Sequence, residues 1–161
     1  MKIYAFIDSQ NLNLAVRLAG WILDFKKFRI HLKDKYNVCK AYIFIGYTSK
    51  NKGLYKFLRK AGYTVVFKPT LRGENGAIKG NCDAELVLHC VSECVNFDKA
   101  IIVSGDGDFY CLVKYLKEKG KLLSIGIPNR DKYSALFREF SNNRFYITDQ
   151  RKFLEYKKER H

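Results

Sequence analysis

Four aspartates stand where apolar runs of this chain stop or start, and carboxylates in such places are the raw material of a divalent-metal site. Asp8 closes the run Ile3-Tyr4-Ala5-Phe6-Ile7, and Asp106 and Asp108 follow Ala100-Ile101-Ile102-Val103-Ser104-Gly105. Asp83 opens an apolar-periodic stretch directly after Lys79-Gly80-Asn81-Cys82. Mg²⁺ takes oxygen ligands and keeps several of its waters, so a few carboxylates suffice to hold it. Carboxylates ~5 Å apart repel by roughly 3 kcal/mol per pair at an effective dielectric near ~20. Four of them therefore either sit apart as separate helix caps or are held together by a cation. The residues alone leave both arrangements open.

Around each aspartate the neighbours add detail. In Asp8-Ser9-Gln10-Asn11, Asp8 leaves the run and Asn11 begins the next helix, so both can face one point. Simple capping by Asp8 or Ser9 is the alternative. In Ser104-Gly105-Asp106-Gly107-Asp108-Phe109, two glycines are expected to let the chain turn tightly, and Ser104 offers a further oxygen. The i, i+2 spacing allows Asp106 to meet the ion while Asp108 holds a water or caps a helix. Glu85 falls on another face of its helix and is expected in solvent. Lys79 would meet a phosphate or balance the acids.

The elements that must position these groups alternate strand-like and helix-like. Residues 2–8, 38–45, 63–67, 100–104 and 122–127 read as strands, with a short last one at 144–148. Residues 11–19, 50–60, 83–95, 107–119 and 131–141 read as helices, and Asp24 is placed to cap another with Phe25, Phe28, Ile30 and Leu32 as its apolar set. Leu86, Val87, Cys90, Val91 and Cys94 are the inward stripe expected of the 83–95 helix. A polar loop at 71–77 is expected to move. Near-continuous apolar strands separated by helices indicate a parallel sheet covered on both faces. In such sheets the ligand crevice lies beyond the carboxyl ends of the strands, so the strands ending at Asp8 and Ser104 are expected to be neighbours.

The chain has 161 residues and a net charge of +14. One domain over residues 1–148 is expected, followed by a basic C-terminal tail, 149–161. From Lys35 to Gly73 no acidic residue occurs, while Lys35, Lys40, Lys50, Lys52, Lys56, Arg59, Lys60, Lys68 and Arg72 are positive. Such a surplus favours phosphate backbones through counterion release. No apolar run approaches ~18 residues, so no membrane span is expected, and without a signal peptide a cytoplasmic location is expected. The five cysteines, at 39, 82, 90, 94 and 111, form no CxxC pair. Cys90 and Cys94 with His89 could suggest a zinc site, but His89 is expected to point away from their stripe and reduced core thiols are the better reading of the pair. An acidic pocket on a basic protein points to metal-dependent chemistry on a polyanion.

Two other chemistries fit poorly. An aspartyl-nucleophile phosphatase would need a second aspartate two residues after Asp8, where Gln10 stands. Dinucleotide binding would need a G-x-G-x-x-G after the first strand.

The blocks Phe6-Ile7-Asp8-Ser9-Gln10-Asn11-Leu12, Lys79-Gly80-Asn81-Cys82-Asp83 and Ile102-Val103-Ser104-Gly105-Asp106-Gly107-Asp108-Phe109 resemble, in order and spacing, the NYN domain, a LabA-like branch of the PIN-like nuclease superfamily. The resemblance runs from about residue 2 to 148. It implies a Rossmann-like three-layer α/β/α sandwich with a mainly parallel central sheet, and ribonuclease activity at a Mg²⁺ or Mn²⁺ pocket. Residue by residue it carries over Asp8, Asp83, Asp106 and Asp108 as catalytic acids, with Asp8, Asp83 and Asp106 on the metal and Asn11 and Ser104 in support. His89 departs from the pattern, since members often carry aspartate there. Lys50, Lys52, Lys56, Arg59, Arg72 and Lys79 are then expected to grip RNA, single-stranded or structured. A catalytically weak RNA-binding or regulatory module of the same fold is the alternative, and a homodimer is left open.

Overall fold

The computed structural model describes residues 1–68 and 83–158 with their side chains, and the backbone of residues 70–72 and 78–80 between them. The first apolar run is strand β1 (Ile3–Asp8), buried along its whole length. Helix α1 (Ser9–Leu18) follows at once, with Asp8 as its N-cap. Helix α2 (Phe25–Tyr36) begins at Asp24, whose carboxylate accepts the N–H groups of Lys26 and Lys27, and ends at Asn37 in the left-handed conformation, φ 61°. Strand β2 (Val38–Gly46), helix α3 (Lys52–Ala61) and strand β3 (Tyr63–Lys68) complete the first half. A short antiparallel ribbon of β4 (Thr70–Arg72) and β5 (Ile78–Gly80) leads to helix α4 (Asp83–Ser92). Strand β6 (Lys99–Val103), helix α5 (Tyr110–Glu118), strand β7 (Leu122–Ile127), strand β8 (Arg144–Tyr146) and helix α6 (Arg151–Leu154) follow.

Six strands form one parallel sheet in the order β3-β2-β1-β6-β7-β8. This is the expected α/β architecture. The chain winds outward from β1 to β3, then returns to β6 and winds the other way, so the direction reverses between β1 and β6. Crevices at such reversals, beyond the carboxyl ends of the strands, are where open α/β sheets bind ligands. Alternation along the strands feeds two cores. Ile3, Ala5 and Ile7 pack with Leu12, Val16, Phe28, Leu32, Leu58 and Leu154 from α1, α2, α3 and α6. Tyr4, Phe6, Phe44 and Ile102 pack on the other face with Leu86 and Cys90 of α4 and Leu112, Val113 and Leu116 of α5.

Several local expectations are corrected. Phe25, Phe28 and Leu32 follow the helical period and face the core, whereas Ile30 falls between turns and is exposed. Leu86, Val87 and Cys90 of α4 and Cys94 just after it pack inward as expected, but Val91 does not, and His89 joins the inward set. Val91 is 42% exposed, and the His89 ring lies against Tyr42 and Phe44. Residues 131–141 are not an α-helix but carry a 3-10 stretch, Ala135–Phe140, in which the three-residue repeat buries both Phe137 and Phe140. The segment after 148 is docked at its start: Leu154 is buried, the Asp24 N–H donates to the Leu154 carbonyl, and Leu23 bridges Glu155. Among the described residues no helix is long and apolar enough to cross a membrane.

Candidate active site

Asp8 closes β1 with the same parity as Tyr4 and Phe6, so its side chain lies on the α4 and α5 side of the sheet. Ile7 pairs with Val103 in β6, which brings Asp8 level with Ser104 across the reversal. Ser104 is fully buried, and its hydroxyl donates to Asp8 Oδ2 at 3.4 Å. Asp8 Oδ1 accepts the Asn11 N–H at 3.3 Å, so the capping role anticipated for Asp8 is present together with its place in the crevice.

The loop after β6 is fastened at successive points. Asn11 Oδ1 accepts the Gly105 N–H at 2.8 Å. Ser104 Oγ accepts the Asp106 N–H at 3.1 Å, and Asp106 Oδ1 accepts the Asp108 N–H at 2.9 Å. The oxygen of Asn11 is thus committed to the loop backbone. Gly105 and Gly107 have ordinary negative φ; what they supply is space. A Cβ on Gly107 would meet Ser134 Oγ at 2.5 Å, and one on Gly105 would meet Tyr133 Cβ at 3.3 Å. Residues 132–134 lie close across the loop, most tightly at Gly107, and the Ser134 N–H donates to the Gly105 carbonyl there.

Asp83, at the first turn of α4, completes the group. Carboxylate oxygens of Asp83, Asp106 and Asp108 all lie within 4.8 Å of one another. The Asp83 carboxyl is pushed up to about 6, first by partial burial, then by a hydrogen bond with Asp108 and by the charges of Asp106, Asp8 and Asp108. Burial and the neighbouring negative charges both favour neutralising this group, by a proton or by a bound divalent cation. The donors are all hard oxygens, the set suited to Mg²⁺ or Mn²⁺ rather than to a thiophilic metal. Asp8 is outside this close triad, although its charge reaches Asp83. A shallow cavity of about 520 Å³ borders the triad, lined by Asp83, Ala84, Val87, Leu88, Val91 and Asp108.

The basic residues divide by position. Lys50 and Lys52 are exposed just beyond the end of β2, at the same sheet edge as the acids. Lys56 and Arg59 lie further along α3, which runs back toward the opposite edge, and the Arg59 guanidinium rests over the Phe67 ring at 5.7 Å. Arg72 and Lys79 fall on the two strands of the ribbon, and their side chains lie outside the described residues, as does Cys82. Phe109 is fully buried, while Tyr47 is 44% exposed and stacks on Tyr55.

Two features escaped the sequence reading. Lys68 ends β3 with its side chain 1% exposed and its Nζ 3.5 Å from Asp8 Oδ1. It closes an apolar run just as Asp8 does, and that placement was the available signal. The second is the segment after β7. Buried Asn129 donates to the Ala15 carbonyl and accepts the Asp131 N–H, fixing a turn from which Lys132 lies beside the Gly105 loop while Arg130 pairs with Asp149.

The family model for the NYN domain matches residues 2–149. The low amplitude and bright protein LabA of Synechococcus elongatus is 24% identical over 164 residues, covering 96% of this chain and 88% of its own. A crystal structure of the Vibrio parahaemolyticus protein of unknown function VPA0982 superposes with a TM-score of 0.77 at 26% identity, covering 95% of each chain.

Proposed function

The chain belongs to the NYN domain family, a nuclease-like family, and we propose that it is a metal-dependent ribonuclease working at Asp8, Asp83, Asp106 and Asp108. The observation that carries the reading is the Asp83, Asp106 and Asp108 triad, oxygen to oxygen within 4.8 Å with one carboxyl driven upward in pKa. Such a cluster is stable with a cation and strained without one. A bound Mg²⁺ or Mn²⁺ would lower the pKa of a water and offset charge on the phosphorus centre.

The side chains divide the remaining work. Asp83 and Asp106 are the chief holders of the ion. Asp108, the most exposed of the triad, is placed to orient an attacking water from the solvent side. Ser104 and Asn11 keep the loop from shifting: one holds Asp8 and the Asp106 backbone, the other the Gly105 backbone. Lys50, Lys52 and Lys132 border the same edge and would meet phosphates either side of the cut. The apolar wall of Val87, Leu88 and Val91 gives a base a surface to lie against next to the acids.

The test is cleavage of end-labelled single-stranded RNA and DNA by the purified chain in Mg²⁺, Mn²⁺ or EDTA. Metal-dependent cutting with RNA preferred supports the reading. Metal-independent RNA binding with no cutting replaces it by the regulatory-module alternative.

A further inference from the structure

Lys68 is out of place for an ordinary lysine. Of the ion pairs among the described residues, Lys68 with Asp8 is the one in which both side chains are buried, at 1% and 6% exposure. Burying an ammonium is costly unless its charge is well compensated. Here the contact is long, 3.5 Å, and Asp8 divides its oxygens among the Asn11 N–H, the Ser104 hydroxyl and Lys68. Nor is the lysine a neighbour by default. Lys68 pairs in register with Gly46 and Asp8 with Phe44, so the side chain crosses the whole width of β2 to reach β1. A helix-capping aspartate needs no such partner: Asp24 caps α2 with backbone N–H groups alone.

The charge of the whole crevice gives the lysine a purpose. Asp8, Asp83, Asp106 and Asp108 bring four negative charges, and a substrate phosphodiester adds a fifth. One divalent ion at the triad leaves a large excess, and Asp8 is not among the oxygens that lie close enough together to share that ion. A nuclease site commonly meets that excess with a second ion. This one has an ammonium already installed against Asp8.

We propose that Lys68 is the built-in second cation of the site. The centre then takes one divalent ion, at Asp83, Asp106 and Asp108, and the buried Lys68 ammonium balances Asp8 from the β3 side. The inference rests on the reading of the acidic cluster as a divalent-ion centre. Lys68 is a positioning residue that acts through Asp8.

The test is Mn²⁺ titration of the full, ion-stripped chain, following free Mn²⁺ by electron paramagnetic resonance, for wild type, Lys68→Met and Lys68→Arg. Wild type should bind one Mn²⁺. Lys68→Met should bind a second, or bind the first at least about tenfold tighter, because a repelling charge has gone. Its RNA cleavage should fall in kcat more than in KM. Lys68→Arg should return to one ion with wild-type affinity. A lysine with only a structural role would leave Mn²⁺ binding of a folded Lys68→Met unchanged or weaker, and that result overturns the proposal, as do two ions in wild type. If Lys68→Met does not fold, Lys68→Gln and the wild-type stoichiometry decide in the same terms. Wild type binding no Mn²⁺ defeats the metal-centre reading itself. One ion bound without RNA cleavage leaves the role of Lys68 standing and removes the ribonuclease.

Discussion

Asn11 Oδ1 and the Gly105 N–H, 94 residues apart in sequence, meet at 2.8 Å and tie the first helix to the loop that carries Asp106 and Asp108. Groups behind a metal's ligands typically change affinity by about 10–100-fold when removed. Asn11→Ala should therefore weaken Mn²⁺ binding by at least about tenfold with little change in helix content. Titration beside far-ultraviolet circular dichroism checks both.

Asp106→Asn should abolish metal-dependent cleavage and leave RNA binding intact or tighter. The asparagine keeps an oxygen to accept the Asp108 N–H, so the cap survives while the charge does not. Unfolding of this variant, read from its melting curve, would instead assign Asp106 to structure.

The pH dependence centres on Asp83. A folded pKa raised to about 6 means that the native state keeps a proton the unfolded chain has released. The stability this gives is present below about pH 4 and is lost as pH rises through about 6. In EDTA, Asp83→Asn should be near neutral at about pH 4 and stabilising by about 1 kcal/mol at about pH 7.5, after discounting for solvent screening of a half-exposed group. Excess Mn²⁺ should raise the wild-type melting temperature at the higher pH and the variant's much less.

The basic surface should act unevenly. Lys50 and Lys52 share the sheet edge with the acids, whereas the Arg59 backbone lies about 10 Å further along α3 and its guanidinium is engaged over the Phe67 ring. Replacing Lys50 and Lys52 with alanine should reduce the salt slope of single-stranded RNA binding by about 1.4. Replacing Lys56 and Arg59 should reduce it less. Equal reductions would carry the RNA path down the whole helix.

Asp8 and Ser104 were legible as neighbours because strand ends in a parallel sheet obey a simple rule, and the apolar runs were long enough to mark the strands. Asp83 was harder. Its helix was visible, but Val91, expected inward, is exposed and His89 lies against Tyr42 instead, since a run rich in apolar residues hides which stripe faces inward. The glycines around Asp106 were noticed for the wrong reason. Turn chemistry is local, whereas the space needed by Ser134 and Tyr133 depends on a segment about thirty residues away. Lys68 was lost in a crowd of lysines; that it turns inward depends on what lies two strands away.

The docking of Leu154 has a practical meaning. The family match stops at residue 149, yet the helix that follows plugs the core beside Leu23 and Phe28, and the chain then hydrogen-bonds back to Ile22. Those last described residues act as a latch across the α1–α2 connection. Cutting at 149 would leave an open slot lined by Trp21 and Leu23, at a cost of about 2–3 kcal/mol for the leucine alone. A shortened chain of this kind should melt earlier and expose a dye-binding surface, although every acidic residue of the site would still be in it. The boundary drawn by family likeness and the boundary of cooperative folding are then two different lines.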